Sequence, residues 1–326
     1  MHVLVTGGAG FIGSHACKAL AEAGFVPVAY DNLSKGRVAA VKWGPLEVGD
    51  LSDRARLDAV FAAYSPVAIL HFAAAIEVGE SVTDPGKYWR NNFIGSLTLA
   101  EAAVAAECLN LVFSSTCAVY DGNTMDDLTE ESPFGPINAY GGSKRATEMM
   151  LADFATAHAL KTINFRYFNV AGAAPGAGIG QSHAEPTHII PRLLIALEGG
   201  TGHMTINGDD YQTPDGTCVR DYIHVTDLVN AHIAGLKRLL EGHEGGSYNL
   251  GTGHGASVRE VIEAAGEVVG HMPQIQIGPR RPGDAVRLVS GSEKAHRDLG
   301  WVPDSSSLET ILADAWRWHK SRGWET

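Results

Sequence analysis

The segment "VTGGAGFIGSH", residues 5–15, joins a short apolar run to a stretch with helical spacing. It carries G-x-G-x-x-G in Gly8, Gly10 and Gly13, and G-x-x-G-x-x-G in Gly7, Gly10 and Gly13. Glycine permits the tight turn, and its missing side chain lets backbone N–H groups approach a pyrophosphate at a helix N-terminus. Further apolar runs at 27–31, 46–50, 67–74, 109–116 and 161–168 alternate with helical segments such as 97–107 and 143–158. Strand–helix alternation of this kind predicts an α/β fold with a doubly wound parallel sheet. Asp31 closes the second run, where a carboxylate accepts hydrogen bonds from a ribose 2′-OH and repels a 2′-phosphate. The expected cofactor is therefore NAD rather than NADP.

From about Ala171 the texture changes. Residues 171–187, "AGAAPGAGIGQSHAEPT", form a long connection without apolar periodicity, of the sort that is functional or marks a boundary. A helix is expected near 188–198, strands near 203–207 and 218–224, and a helix near 226–240. "GSYNLGTG" (246–253) reads as a strand that returns to the main sheet. This predicts a first unit over 1–172, joined again by segments near 222–255, and a smaller mixed α/β unit over 173–326, the two interleaved.

The formal net charge of −12 argues against nucleic-acid binding, which needs a basic footprint. Cys17, Cys108, Cys117 and Cys218 are scattered without a CxxC pair and read as reduced thiols. The first residues run straight into a strand with no signal-peptide pattern, and the apolar runs are too short to span a bilayer. A soluble cytoplasmic protein is expected. No H-E-x-x-H or similar spacing appears among the histidines, so no catalytic metal is predicted. The aromatics of "WRWHKSRGW" (316–324) fall at helical spacing and are expected in core or dimer packing.

"NAYGGSK" (138–144) sets Tyr140 and Lys144 four residues apart, on one helical face. An ammonium beside a phenol stabilises the phenolate, as does a bound nicotinamide cation, and together they make tyrosine a usable base. Moving a phenol from about 10 to about 7 takes roughly 4 kcal/mol of differential stabilisation. The strand "FSST" (113–116) ends in hydroxyls, and Thr116 is placed to hydrogen-bond a substrate oxygen.

"TGGAGFIG", "FSST" and "YGGSK" together resemble the extended short-chain dehydrogenase/reductase superfamily, with its Rossmann-type fold. Within it the chain is similar almost end to end to UDP-glucose 4-epimerases, through "DNLSKG" (31–36), "HFAA" (71–74), "VGESV" (78–82), "RYFNVAGA" (166–173), "DGTCVRDYIHV" (215–225), "YNLGTG" (248–253) and "RRPGD" (280–284). The resemblance implies that Tyr140 takes the sugar 4′-OH proton while NAD stores the hydride. Thr116 would assist, and Lys144 would tune Tyr140 and hold the nicotinamide ribose. It implies a cofactor site of Gly7, Gly10, Phe11, Ile12, Gly13, Asp31, Asn32, Asp50, Leu51, Phe72, Ala73, Ala74, Asn91, Ser114, Tyr140, Lys144 and Tyr167. For a UDP-sugar substrate it implies Thr116, Asn169, His188, Arg220, Arg281, Asp284 and Leu288. Arg220 and Arg281 would hold the diphosphate, Asp284 the uridine ribose, and Leu288 would set the room for an N-acetyl group. Cys117 and Ala118 stand where related dehydratases carry an Asp-Glu pair, so elimination of water is not expected. Ile76 stands where some relatives have a lysine near the phosphates, and His188 replaces an asparagine that touches the substrate. A homodimer is the family expectation. Two other readings share the fold: an epimerase of UDP-N-acetylhexosamines or UDP-pentoses, and a non-catalytic NAD-binding regulator.

Overall fold

A computed structural model describes residues 1–122, 124–182, 186–200, 202–281 and 284–321. The first half builds β1 (His2–Thr6), α1 (Phe11–Glu22), β2 (Val26–Asp31), β3 (Leu46–Val48), α2 (Arg54–Tyr64) and β4 (Ala68–His71). Then come α3 (Val78–Thr83), α4 (Pro85–Tyr88), a π-helical turn at Trp89–Ile94, α5 (Gly95–Ala105), β5 (Asn110–Ser114), α6 (Ala139–His158) and β6 (Lys161–Tyr167). The chain continues through β7 (Asn169–Ala171), β8 (Ala173–Ala174), β9 (Ile179–Gly180), α7 (Ile189–Leu197), β10 (His203–Asn207), β11 (Val219–His224), α8 (Val225–Leu240) and β12 (Gly246–Leu250). It ends with β13 (Gly255–Ser257), α9 (Val258–Val269), β14 (Gln274–Gly278), β15 (Arg287–Leu288), α10 (Glu293–Leu299) and α11 (Leu308–Lys320).

Seven parallel strands form the main sheet in the order β12-β6-β5-β4-β1-β2-β3. The order reverses between β1 and β4, and open sheets of this kind bind ligands in the crevice at that switch. The buried runs "VLV" of β1 and "AIL" of β4 fill the sheet interior, and helices cover both faces. One face packs α1 and α8 against the strands; the other packs α2, α5 and α6. Asn138 caps α6 by accepting from the Gly141 N–H at 2.9 Å, which fixes where Tyr140 enters the helix.

A second sheet joins β13, β11 and β15, with β7 also paired to β11. Residues 169–171 thus pair outside the main sheet, slightly earlier than the expected change at residue 172. The long connection without apolar periodicity holds a short antiparallel hairpin, β8–β9, although residues 183–185 of it lie outside the described residues. Trp318 is buried against Gly180, and its Nε1 donates to the Gln181 carbonyl at 2.9 Å, so this aromatic packs in the core. Residues 322–326, including Trp324, lie outside the described residues. Among the described residues no helix is long and apolar enough to cross a membrane.

Candidate active site

The glycine loop sits at the switch between β1 and β4. Gly7 adopts φ +71°, and a side chain on Gly13 would meet the Gly7 carbonyl oxygen at 2.1 Å, so neither position admits another residue without strain. Helix α1 starts with no side-chain cap and no acid in its first turn, leaving a positive N-terminus for a phosphate. Asp31 is buried at the end of β2, where burial raises its pKa and backbone N–H groups oppose the rise. Its Oδ2 accepts from Ala9 N at 3.0 Å and its Oδ1 from Leu33 N at 2.8 Å. Each oxygen keeps a lone pair for a ribose hydroxyl. These residues fit a dinucleotide.

Asp50 lies two residues beyond β3 instead of closing it. Its Oδ1 accepts from Ser52 N and Oγ, and its Oδ2 from Asn32 Nδ2 at 2.7 Å, which hold its pKa low. Leu51 is buried beneath, while Phe72, Ala73 and Ala74 follow β4, with the Ala73 backbone close against Gly7. Phe11 and Ile12 open α1 and are half-buried. Asn91 is half-buried and donates to Asn92 Oδ1 at 2.9 Å. It is Asn92, 2% exposed, that ties both polar groups of the Ala75 peptide to Ser143 of α6.

Strand β5 delivers Ser114 and the hydroxyls beyond it to the same edge. Thr116, whose Oγ1 accepts from Ala118 N at 3.1 Å, faces the half-buried Tyr140 and favours its phenolate. Tyr167, at the end of β6, lies beside Ser114 and Tyr140. Lys144 is 3% exposed, and its Nζ donates to the Ser114 carbonyl at 2.7 Å, 4.7 Å from the Phe113 ring centre. The electrostatics differ from the sequence expectation. Burial pushes the Tyr140 pKa up to about 12, with the Thr116 hydrogen bond opposing, and Lys144 is not among the groups that move it. Burial likewise draws Lys144 down to about 7, with Glu148 opposing. The lysine is aimed at the backbone of β5.

The residues expected at the substrate lie on and around the second sheet. Arg220 on β11 pairs in register with Leu288 on β15, and its Nη2 lies 3.5 Å from Asp284 Oδ1. Arg281 donates through Nε and Nη2 to the Asn207 amide oxygen, at 3.2 and 3.1 Å, once that amide is turned to face it. Pro282 and Gly283 lie outside the described residues. Asn169, His188 and Tyr222 line one small cleft. Leu288 Cδ2 faces Gly122, 3.2 Å from where a Cβ would stand there. Burial raises the Cys117 thiol to about 12, and the charges of Arg220 and Asp221 reach it, which places it between Tyr140 and β11.

Three groups escaped sequence reasoning. His71 is buried between Thr6 Oγ1 at 2.6 Å and Ser96 Oγ at 2.8 Å. His232 is fully buried among the rings of Phe72, Phe165 and Tyr167. Glu148 and Arg166 form a buried ion pair under Ser115. Only Glu148 carried a signal, since it repeats the four-residue spacing of Tyr140 and Lys144.

A model of the NAD dependent epimerase/dehydratase family matches residues 3–251. The chain is 48% identical to a UDP-glucose 4-epimerase of Rhizobium meliloti, over 98% of each sequence. The crystal structure of UDP-glucose 4-epimerase from Brucella ovis in complex with NAD matches with a TM-score of 0.94 at 45% identity, over 97% of each chain. The one from Bifidobacterium longum in complex with NAD+ and UDP matches with a TM-score of 0.92 at 35% identity, over 98% of each chain. By these measures the chain belongs to the NAD dependent epimerase/dehydratase family and, within it, to the UDP-glucose 4-epimerases.

Proposed function

We propose that this chain interconverts UDP-galactose and UDP-glucose by moving a proton at the sugar 4-OH through Tyr140 and passing through a transient 4-keto sugar. The observation that carries the reading is Lys144 anchored on the Ser114 carbonyl at 2.7 Å, at the strand end where Thr116 faces Tyr140. When bound, NAD supplies the acceptor and donor of the C4 hydride and a positive ring near the phenol. Residues 7–13 hold its pyrophosphate by backbone N–H groups, Asp31 its adenosine ribose, and Lys144 its nicotinamide ribose. Leu51, Phe72, Ala73, Ala74, Asn91 and Tyr167 close the walls around it.

Tyr140 would accept the 4-OH proton and return it to the same oxygen once the keto sugar has turned its other face to the hydride donor, with Thr116 assisting in both directions. Bringing a phenol from about 12 to about 7 requires roughly 7 kcal/mol of phenolate stabilisation, more than an exposed tyrosine would need. That demand falls on Thr116 beside the phenol and on the positive nicotinamide ring that bound NAD would bring near it. Arg220 and Arg281 grip the diphosphate through their guanidinium forks, and Asp284 the uridine ribose. Asn169 and His188 lie toward the sugar, and Cys117 and Ala118 offer no second acid for elimination.

Purified protein incubated with UDP-galactose, without added reductant, is expected to form UDP-glucose to near the equilibrium ratio. Tyr140→Phe is expected to keep UDP binding and lose about 10²–10⁴-fold in kcat. Near-native turnover by that variant would remove Tyr140 from the base role.

We further propose a cytoplasmic homodimer closed over α5 and α6. Trp89, Ile94 and Met149 are 41%, 48% and 57% exposed there, and Trp89 lies over Gly142, two turns from Met149 on α6. The four free thiols suit a reducing compartment. Sedimentation equilibrium should give twice the chain mass, and Ile94→Glu/Met149→Glu should halve it; a monomeric parent protein would overturn the assignment.

A further inference from the structure

Tyr140, Lys144 and Glu148 recur every fourth residue along one face of α6. Glu148 is 3% exposed and Arg166, reaching it from β6, is 4% exposed. The guanidinium engages the carboxylate as a fork, Nε to Oε1 at 2.9 Å and Nη2 to Oε2 at 2.8 Å. Oε1 also accepts from Ser115 Oγ at 2.5 Å, and Oε2 from Arg145 Nη1 at 3.2 Å. A buried ion pair of this kind seldom adds net stability over apolar packing, because desolvation offsets the Coulomb attraction. Its location gives it another use.

Ser115 sits between the two residues that the base depends on. The Ser114 carbonyl holds Lys144 at 2.7 Å, and Thr116 faces Tyr140. The groups facing Lys144 are few: Tyr140 one turn back, Glu148 one turn ahead, His71 from β4 and the Phe113 ring from β5. His71 is kept neutral by burial, with its pKa lowered to about 3, so Glu148 is the anion among them.

The pair also reaches outward. Arg166 Nη1 donates to Tyr120 OH at 2.9 Å, which donates to Asn249 Oδ1 at 2.7 Å. Asn249 in turn holds the Leu128 carbonyl at 2.8 Å, and Leu128 N donates to the Val289 carbonyl, next to Leu288.

We propose that Glu148, clamped by Arg166, is a positioning residue for the Tyr140–Lys144 pair, fixing the Ser114–Thr116 segment through Ser115 and supplying the negative charge that faces the Lys144 ammonium. The inference rests on the reading of Tyr140 as the base. Removing the carboxylate charge leaves Lys144 easier to deprotonate, so the alkaline limb of activity moves to lower pH.

The test compares pH profiles of kcat and KM for UDP-galactose in the holoenzyme. Glu148→Gln is expected to lower kcat at least about tenfold at alkaline pH and to shift the alkaline limb down by about one unit, with KM within about threefold. Glu148→Asp, which keeps the charge, is expected to restore the limb. Ser115→Ala leaves both charges in place and removes only the hydrogen bond from Ser115 to Glu148, so a lowered kcat with an unmoved limb is expected of it even where the Gln variant misfolds. An unmoved limb in folded Glu148→Gln, or a native kcat in Ser115→Ala, beside an inactive Tyr140→Phe, overturns the positioning role alone. An active Tyr140→Phe overturns the reading beneath it.

Discussion

The two ends of the cleft are built on opposite plans. At the cofactor end both carboxylates are closely satisfied within the first fifty-odd residues, each by one partner two residues on and one from a neighbouring loop: Asp31 by Leu33 and Ala9, Asp50 by Ser52 and Asn32. The scaffold there is the C-terminal edge of a parallel sheet, and the glycine loop is too tight to accept a side chain at Gly13. At the sugar end Arg220, Asp284, Leu288 and Gly122 come from distant parts of the sequence, and the Arg220–Asp284 pair is a loose 3.5 Å. Only the backbone beneath is pinned, by the buried Asp221 carboxylate, which accepts from Thr252, Gly253 and Ser290 N–H groups. A reaction that keeps its cofactor fixed and lets its sugar turn over suits that contrast.

Acid should break the comparison most severely. The large-sheet unit buries three neutral histidines: His15 and His232, each lowered to about 4, and His71, lowered to about 3. Burial is the leading cause in each case, aided at His15 by the nearby His224 and Lys18 and at His71 by Lys144. Between pH 6.5 and those values the unfolded chain holds protons that the folded chain does not. Their stabilising contribution is therefore complete above pH 6.5 and lost as pH falls, at about 1.4 kcal/mol per unit of depression. On β11 two groups oppose each other: burial raises the Asp221 pKa, so the folded state gains from its protonation first, while burial lowers that of His224. Pulse-labelled hydrogen exchange after incubation near pH 4.5 should show β1, β4 and α8 losing protection before β11 and β15. Simultaneous loss, or loss from β11 first, would contradict the assignment of acid sensitivity to those histidines.

How far each end was legible in the sequence follows from the same contrast. The glycine loop, Asp31 and the Tyr140–Lys144 spacing are local patterns, so a turn, a strand end and one helical face sufficed to place them. The return of β12 to the main sheet was also readable, as a short alternating run bounded by glycines. The π-helical turn at Trp89–Ile94 was not, since one widened turn leaves the apolar spacing almost unchanged. Neither was the Lys144 contact with the Ser114 carbonyl, which depends on how β5 and α6 meet. The expected acidification of Tyr140 by Lys144 overlooked desolvation, which acts on both groups and against both charges. Arg166 was quoted within a motif, yet only packing reveals that its partner is Glu148.

The smallest expected effect sits at the sugar end. Leu288 is half-buried beside Val119, Tyr120, Leu128 and Phe168, and its Cδ2 faces Gly122 across a narrow gap. Leu288→Ala removes side-chain volume from that wall. The ratio of kcat/KM for UDP-GalNAc to that for UDP-galactose should rise about tenfold, the usual worth of a small change in pocket volume. The accompanying stability loss should stay near 2 kcal/mol or less, because the site is partly open to solvent. An unchanged ratio in a substrate panel would move size selection away from Leu288. A gain carried by KM would mean that the wall acts only by making room. A matching fall in kcat for both sugars would mean instead that the wall is mechanically tied to the base, along Val289, Leu128, Asn249, Tyr120 and Arg166 to Glu148.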